Sequence, residues 1–144
     1  MSIHFFFIEK NITLRNRNKL KIFLSSLFKD EGKKLVSLNY IFCSDKYLLS
    51  INQEFLNHDF YTDTITFNLS EVNEPIEGEI YISVDRVRDN ALKFYHSINE
   101  ELHRVIFHGA LHLCGYDDKT TSDIEIMRTA ENKYLDLFFN GSST

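Results

Sequence analysis

The stretch His108-Gly109-Ala110-Leu111-His112-Leu113-Cys114-Gly115-Tyr116-Asp117-Asp118 constrains this chain more than any other. Two histidines four apart stand one above the other on a helix, because about 3.6 residues make a turn. Around them Leu102, Val105, Ile106, Phe107, Ala110, Leu111 and Leu113 leave almost no polar face. A helix apolar on nearly all sides belongs in a core. Burying an unpartnered imidazole there costs roughly 2–7 kcal/mol on transfer scales. Either each ring finds its own hydrogen-bond partner, or one metal ion satisfies both. Gly115 is placed to end the helix in a left-handed cap. The chain can then fold back to offer a carboxylate as third ligand, from Asp118 or from its rival Asp117.

The offsets favour Asp118. A histidine, a second at +4, a glycine at +7 and a ligand at +10 match the spacing of metzincin zinc proteases. In those enzymes a glutamate follows the first histidine, whereas Gly109 holds that position here. Without that carboxylate, peptide hydrolysis lacks its usual way of activating water. The reading is a zinc site of His108, His112 and Asp118 on a core helix.

A chain of 144 residues with 43% hydrophobic residues and 13 phenylalanines is expected to form one packed domain, residues 1–144. No apolar run is long enough to span a bilayer and no cleavable signal pattern opens the chain. Two cysteines, Cys43 and Cys114, make no disulfide framework. The expected location is therefore cytoplasmic. A net charge of -5 argues against bulk electrostatic binding of nucleic acid. Residues 10–21 nevertheless hold Lys10, Arg15, Arg17, Lys19 and Lys21 with no acid among them. This segment reads either as a solvated face or as a patch for an anionic partner.

Along the chain, residues 3–8 read as a largely buried strand. Leu20, Phe23, Leu24, Leu27 and Phe28 mark an amphipathic helix ended by Gly32. Val36, Leu38, Tyr40 and Phe42 alternate as a strand facing the core. Ser44 caps a helix whose Tyr47, Leu48, Ile51 and Phe55 share a stripe. Residues 57–61 form a polar loop, and strand 64–69 sets Ile65, Phe67 and Leu69 opposite Thr64, Thr66 and Asn68. Strand 79–84 follows, able to pair with it across an acidic connection. Asp85 is expected to cap a helix running to about Tyr95. Capping boxes are expected at Ser97 with Glu100 and at Ser122 with Glu125. The last helix turns Met127, Tyr134, Leu137 and Phe138 inward. Four strands and about five helices make an α+β domain, a mixed four-stranded sheet covered by helices. Cys114 reads as a buried thiol, His103 faces away from the ligands, His58 lies in the polar loop, and His4 and His96 have no evident partner.

With these residues in place, the chain resembles the YbeY family of metal-dependent rRNA maturation endoribonucleases over essentially its full length. The family's hallmark reads His-Gly-x-Leu-His-Leu-x-Gly-Tyr-Asp-His, and His108, Gly109, Leu111, His112, Leu113, Gly115, Tyr116 and Asp117 match it. A second block is matched by Asn52, Asp59, Thr62, Asp63 and Phe67, with Tyr61 and Thr66 departing from it. Gly78-Glu79-Ile80 is similar to the family's Gly-Asp-Ile, and Met127 and Glu131 stand where the family has Met and Glu.

Two departures matter. The family's third histidine is Asp118 here, which keeps a zinc-competent ligand. It lowers the charge of the site by one and makes the metal a weaker Lewis acid. The family's arginine near the cleft corresponds to Leu56, which cannot hold phosphate. Arg104, one turn before His108, is the candidate to compensate, and Asp63 is the candidate catalytic carboxyl. The resemblance implies a zinc-dependent hydrolase of single-stranded RNA, working in rRNA maturation with the small ribosomal subunit. A non-catalytic ribosome-assembly factor with a structural metal is the second reading, and a metallopeptidase, weakened by Gly109, the third.

Overall fold

At the middle of the sheet, β2 (Leu35–Cys43) and β4 (Ile76–Ser83) run parallel, and each carries a row of large apolar side chains on one face. In this computed structural model residues 2–57 and 62–141 are described. β1 (Ser2–Phe7) lies parallel on the outer side of β2, and β3 (Thr64–Asn68) lies antiparallel on β4, giving the order β1-β2-β4-β3. The helices are α1 (Arg17–Asp30), α2 (Asp45–Leu56), α3 (Val84–Lys93), α4 (Ile98–Leu113) and α5 (Thr121–Asn140). The expected α+β domain with a mixed four-stranded sheet and five helices is what forms.

One face of the sheet carries the main core. Leu38, Tyr40 and Phe42 of β2 and Ile80 and Ile82 of β4 pack there with α1, α4 and α5. The other face carries a smaller cluster of Cys43, Leu48, Ile51 and Ile65 beneath α2. The Tyr40 hydroxyl, fully buried, donates to the Ile106 carbonyl at 2.8 Å and so ties β2 to α4 without leaving a buried polar group unpaired. Gly109 faces Ile80, and a Cβ at that position would lie 2.8 Å from two Ile80 carbons. The absence of a side chain is what lets α4 lie tight on the sheet.

Several local expectations are corrected. β1 is an edge strand, so Phe6 and Ile8 are about half exposed and the strand is not largely buried. A register shift between Leu35 and Ser37 turns Val36 outward and Leu35 inward. Of the α2 stripe, Leu48 and Ile51 are buried but Tyr47 and Phe55 are exposed, Phe55 meeting the sheet by an edge contact with Phe67 of β3. Leu69 lies past the end of β3 and is exposed. Ser83, not Asp85, caps α3, accepting from the Arg86 N–H, and the helix stops at Lys93. The Asp85 carboxylate instead accepts from the Asp45 N–H at 2.7 Å and joins the starts of α2 and α3. The capping box of α5 is Thr120 with Asp123, two residues ahead of the expected one. On that helix Leu135 is buried and Leu137 only partly so. The expectations for residues 58–61, including the loop position of His58, the match at Asp59 and the departure at Tyr61, lie outside the described residues.

Candidate metal centre and its two clefts

α4 begins at Ser97, whose hydroxyl accepts from the Glu100 N–H, with Glu100 and Glu101 in the first turn where a carboxylate suits the helix dipole. It ends in a double reverse bond: the Gly115 N–H reaches the His112 carbonyl and the Tyr116 N–H reaches that of Leu111. Gly115 takes φ +107°, a value that side-chain-bearing residues avoid, and this fixes the return of the chain. The return brings Asp118 back over the last two turns of the helix. Asp118 Oδ2 lies 3.2 Å from His112 Nε2 and 3.5 Å from His108 Nε2. Asp117 lines a separate groove with Cys114 and Asp123, so of the two aspartates it is Asp118 that lies against both imidazoles.

The other nitrogen of each ring is already engaged. His112 Nδ1 donates to the Tyr116 carbonyl at 2.9 Å, and His108 Nδ1 donates to Glu131 Oε2 at 2.6 Å. With Nδ1 carrying the proton, a neutral imidazole presents a bare lone pair at Nε2. Two such lone pairs and one carboxylate oxygen then converge on a single point, an arrangement that repels itself unless a positive charge stands there. The spacing suits a cation. Ligands about 2.1 Å from a tetrahedral zinc stand about 3.4 Å apart, beside the 3.2 and 3.5 Å found between Asp118 and the two rings. His108, His112 and Asp118 therefore form a group fit to hold a metal.

Glu131 on α5 is the participant that sequence reasoning left without a role. It is 4% exposed, and its second oxygen accepts from Arg104 Nη1 at 3.1 Å. Burial alone would lower the His108 pKa, but the hydrogen bond and charge of Glu131, with Asp63 and Asp118, carry it above the ordinary histidine value. Beyond its match to the family's Glu, its sequence signal is position: Glu131 falls between Met127 and Tyr134 on the apolar stripe of α5. Arg104, in turn, is held by Glu131, Glu101 and Asn132. Its charge is thus shared among acids in the cleft wall, neither snorkelling at the surface nor free.

Two clefts meet at this group. One, of about 300 Å³, runs along the polar face of β3, where Thr64, Thr66 and Asn68 turn toward His108 and His112. The alternation of β3 was legible, but its polar face looks into this cleft because the apolar Ile65 packs under α2 on the opposite side. The other, of about 470 Å³, lies between α3, α4 and α5. Asp63 lines both, and burial raises its carboxyl above the usual range against the opposing charge of His108. Leu56 ends α2, partly exposed. His103 points away into a stack on Phe138, as its place on the helix implied. Burial pushes the Cys114 thiol up to about 12, in keeping with an inert side chain. His96 does have a partner, Glu100, at 3.0 Å. In the basic segment Arg17, Lys19 and Lys21 lie over the rings of Phe7, Phe138 and Phe5. Among the described residues no helix is long and apolar enough to cross a membrane.

Residues 7–138 match the family described as Endoribonuclease YbeY. An Endoribonuclease YbeY of Cytophaga hutchinsonii is 50% identical over 136 residues, covering 94% of this chain and 95% of the relative. One from Flavobacterium psychrophilum is 46% identical over 130 residues, covering 90% and 92%. Among solved structures, a Thermotoga maritima protein determined in solution matches with a TM-score of 0.66 at 28% identity, over 97% of this chain and 90% of that one.

Proposed function

The chain belongs to the YbeY endoribonuclease family, and from that premise we propose that it is a zinc-dependent endoribonuclease. Its substrate is single-stranded RNA, cut at phosphodiester bonds during maturation of small-subunit ribosomal RNA in the cytoplasm. The observation that carries the reading is the convergence of His108 Nε2, His112 Nε2 and Asp118 Oδ2 with both Nδ1 atoms already engaged.

His108, His112 and Asp118 would hold the ion. Bound there, zinc supplies a Lewis acid for the phosphoryl group and a means of activating water. Glu131 and the Tyr116 carbonyl hold the two rings in the tautomer that leaves Nε2 free. The polar strand face of Thr64, Thr66 and Asn68 offers hydroxyls and an amide to a phosphate or ribose, and Thr66 Oγ1 is buried with no partner of its own. Asp63, at the junction of both clefts, is assigned the handling of the proton at its carboxyl oxygens. The basic segment from Lys10 to Lys21 is assigned a contact with ribosomal RNA, supported by five cations without an acid between them.

One observation favours a non-catalytic assembly factor instead: Leu56 replaces the phosphate-holding arginine that the resemblance implies, and Arg104 is occupied by acids. A peptidase is disfavoured by the packing, since a side chain at position 109 would run into Ile80 and not into a cleft.

Metal analysis beside cleavage assays separates these readings. The purified protein is expected to carry about one equivalent of zinc, lost in both His112→Ala and Asp118→Ala, as for a three-ligand site. Labelled single-stranded RNA is expected to be cut without chelator and spared with it, while casein is left intact. Asp63→Asn is expected to retain the metal and lose cleavage. Full metal in His112→Ala would overturn the site. Full metal with no RNA cleavage would leave the assembly-factor reading in possession.

A further inference from the structure

The larger cleft has a floor and walls of opposite character. Glu101, two turns before His108 on α4, forms part of the floor and is 5% exposed. Its Oε1 is buried without a hydrogen-bond partner, the nearest cation being Arg104 Nε at 3.7 Å. A buried acceptor left unpaired is costly, and such atoms commonly await a ligand or water. The walls carry apolar surface from Phe94 just past α3 and from Ile124 and Met127 on α5, beside the polar Asn90 and His96. Phe94 and Ile124 are about half exposed and present flat or branched surface to the opening. Arg128 stands at the rim with its side chain 63% exposed.

This combination rejects some occupants. A phosphate does not suit a floor that also holds Asp63 and Glu131. A second metal ion does not either, because among the described residues His108, His112 and Asp118 are the only three such side chains whose ligand atoms all lie within 4.8 Å of one another. A flat ring with N–H donors on one edge suits both parts: the walls take its faces and the floor takes its edge. The volume, about 470 Å³, falls in the range of small-ligand sites.

We propose that this cleft is a nucleobase subsite, in which Phe94 stacks on the ring and Glu101 accepts from its Watson–Crick edge, selecting guanine. The inference rests on the RNA reading above and adds a base preference to it. Guanine alone presents two adjacent donors on that edge, N1–H and the N2 amino group. In the other bases a donor stands beside a lone pair that would face the carboxylate. Stacking on an aromatic ring is tolerant of base identity, so Phe94 supplies affinity and Glu101 supplies choice. The nucleotide's phosphate would lie outside, toward Arg128. Burial pushes the Glu101 carboxyl up to about 7 against the pull of Arg104, so the carboxylate that accepts from guanine prevails above neutral pH.

The test uses the full chain and 5′-labelled single-stranded RNA heptamers that differ at one central base, followed at pH 8, where the Glu101 carboxyl is ionised, by fluorescence anisotropy in chelator so that nothing is cut. The wild-type protein is expected to bind the guanine heptamer at least tenfold more tightly than those with adenine or uracil. Phe94→Ala, at an exposed position that does not threaten folding, is expected to weaken all heptamers at least fivefold. Glu101→Gln, nearly isosteric, is expected to bring the base preference within twofold and leave the adenine and uracil heptamers unchanged. A preference that survives Glu101→Gln, or unaltered binding by Phe94→Ala, overturns the subsite. A wild-type protein that cuts RNA with no base preference removes the subsite alone. One that neither binds nor cuts RNA removes the endoribonuclease reading as well.

Discussion

Replacing Glu131 takes an acceptor from His108 and a counter-charge from Arg104 in one step. In Glu131→Gln the side chain keeps its length but loses its charge, so the ring of His108 is less firmly held in the tautomer that frees Nε2. Outer partners of metal-bound histidines are typically worth 10–100-fold in metal affinity, and a loss of that size is expected in competition against a chromophoric chelator. Glu131→Ala is expected to cost in addition about 1–3 kcal/mol of stability from the unpaired buried donors, read as a lower urea midpoint. Unchanged zinc affinity in both variants would reduce Glu131 to a packing residue. The contrast in legibility is physical. His108 and His112 stood out because polar rings on an apolar helix require an explanation that is local in sequence. Asp118 was preferred to Asp117 on its offset of +10 from the first histidine, and it is the turn at Gly115 that brings this aspartate back over the helix. Glu131 was matched to the family but given no role, because a glutamate on an amphipathic helix looks solvated until its partner, 23 residues earlier, is brought against it.

At the scale of elements, the contact between α4 and β4 decides where the histidines stand. Gly109 lies against Ile80, which is fully buried and has no room to swing aside. Gly109→Ala gains about 1 kcal/mol of helix propensity, yet the new methyl would meet two Ile80 carbons at 2.8 Å. Overpacking of this kind costs about 1–3 kcal/mol, so a net loss of about 1 kcal/mol is expected in urea unfolding. Because the helix must lift from the sheet, zinc affinity should fall with it. A Gly109→Ala protein as stable as the wild type, with zinc binding intact, would show that the helix is not seated by this contact. Helix existence was plain in the sequence from apolar periodicity, and caps at Ser44 and Ser97 were found where serine precedes the periodic run. The caps of α3 and α5 fell two residues early because Ser83 and Thr120 compete with nearby Asp85 and Ser122, and only backbone geometry separates such neighbours. The exposed apolar residues of β1 escaped detection for a different reason: a strand at the sheet edge has the same residue pattern as one inside it.

For the molecule as a whole, strand order and the sharing of helices between the two faces were not readable, since they depend on contacts between residues far apart in the chain. The same long-range assembly creates a buried carboxyl that no local pattern announces, and it has a consequence for global stability. Glu101 is desolvated among Arg104, Asp63, Glu131 and Arg128, which carries its pKa from 4.5 to about 7. In the unfolded chain the group releases its proton near 4.5, while in the folded chain it keeps it to about pH 7. The folded state therefore binds more protons between these values, and stability falls as pH rises through that window. Below it the contribution of this group is fully favourable; above it none remains. At about 1.4 kcal/mol per unit the whole effect is on the order of 3 kcal/mol. Urea unfolding in chelator, followed from pH 5 to pH 8, should show the wild-type midpoint declining relative to Glu101→Gln, which has no proton to lose at this position. The decline should level off above pH 7 to 8, where the folded carboxyl is ionised as well. Parallel pH profiles for the two proteins would mean that Glu101 is already ionised well below neutrality, its floor position satisfied by water, and that the burial of this carboxylate costs the fold nothing.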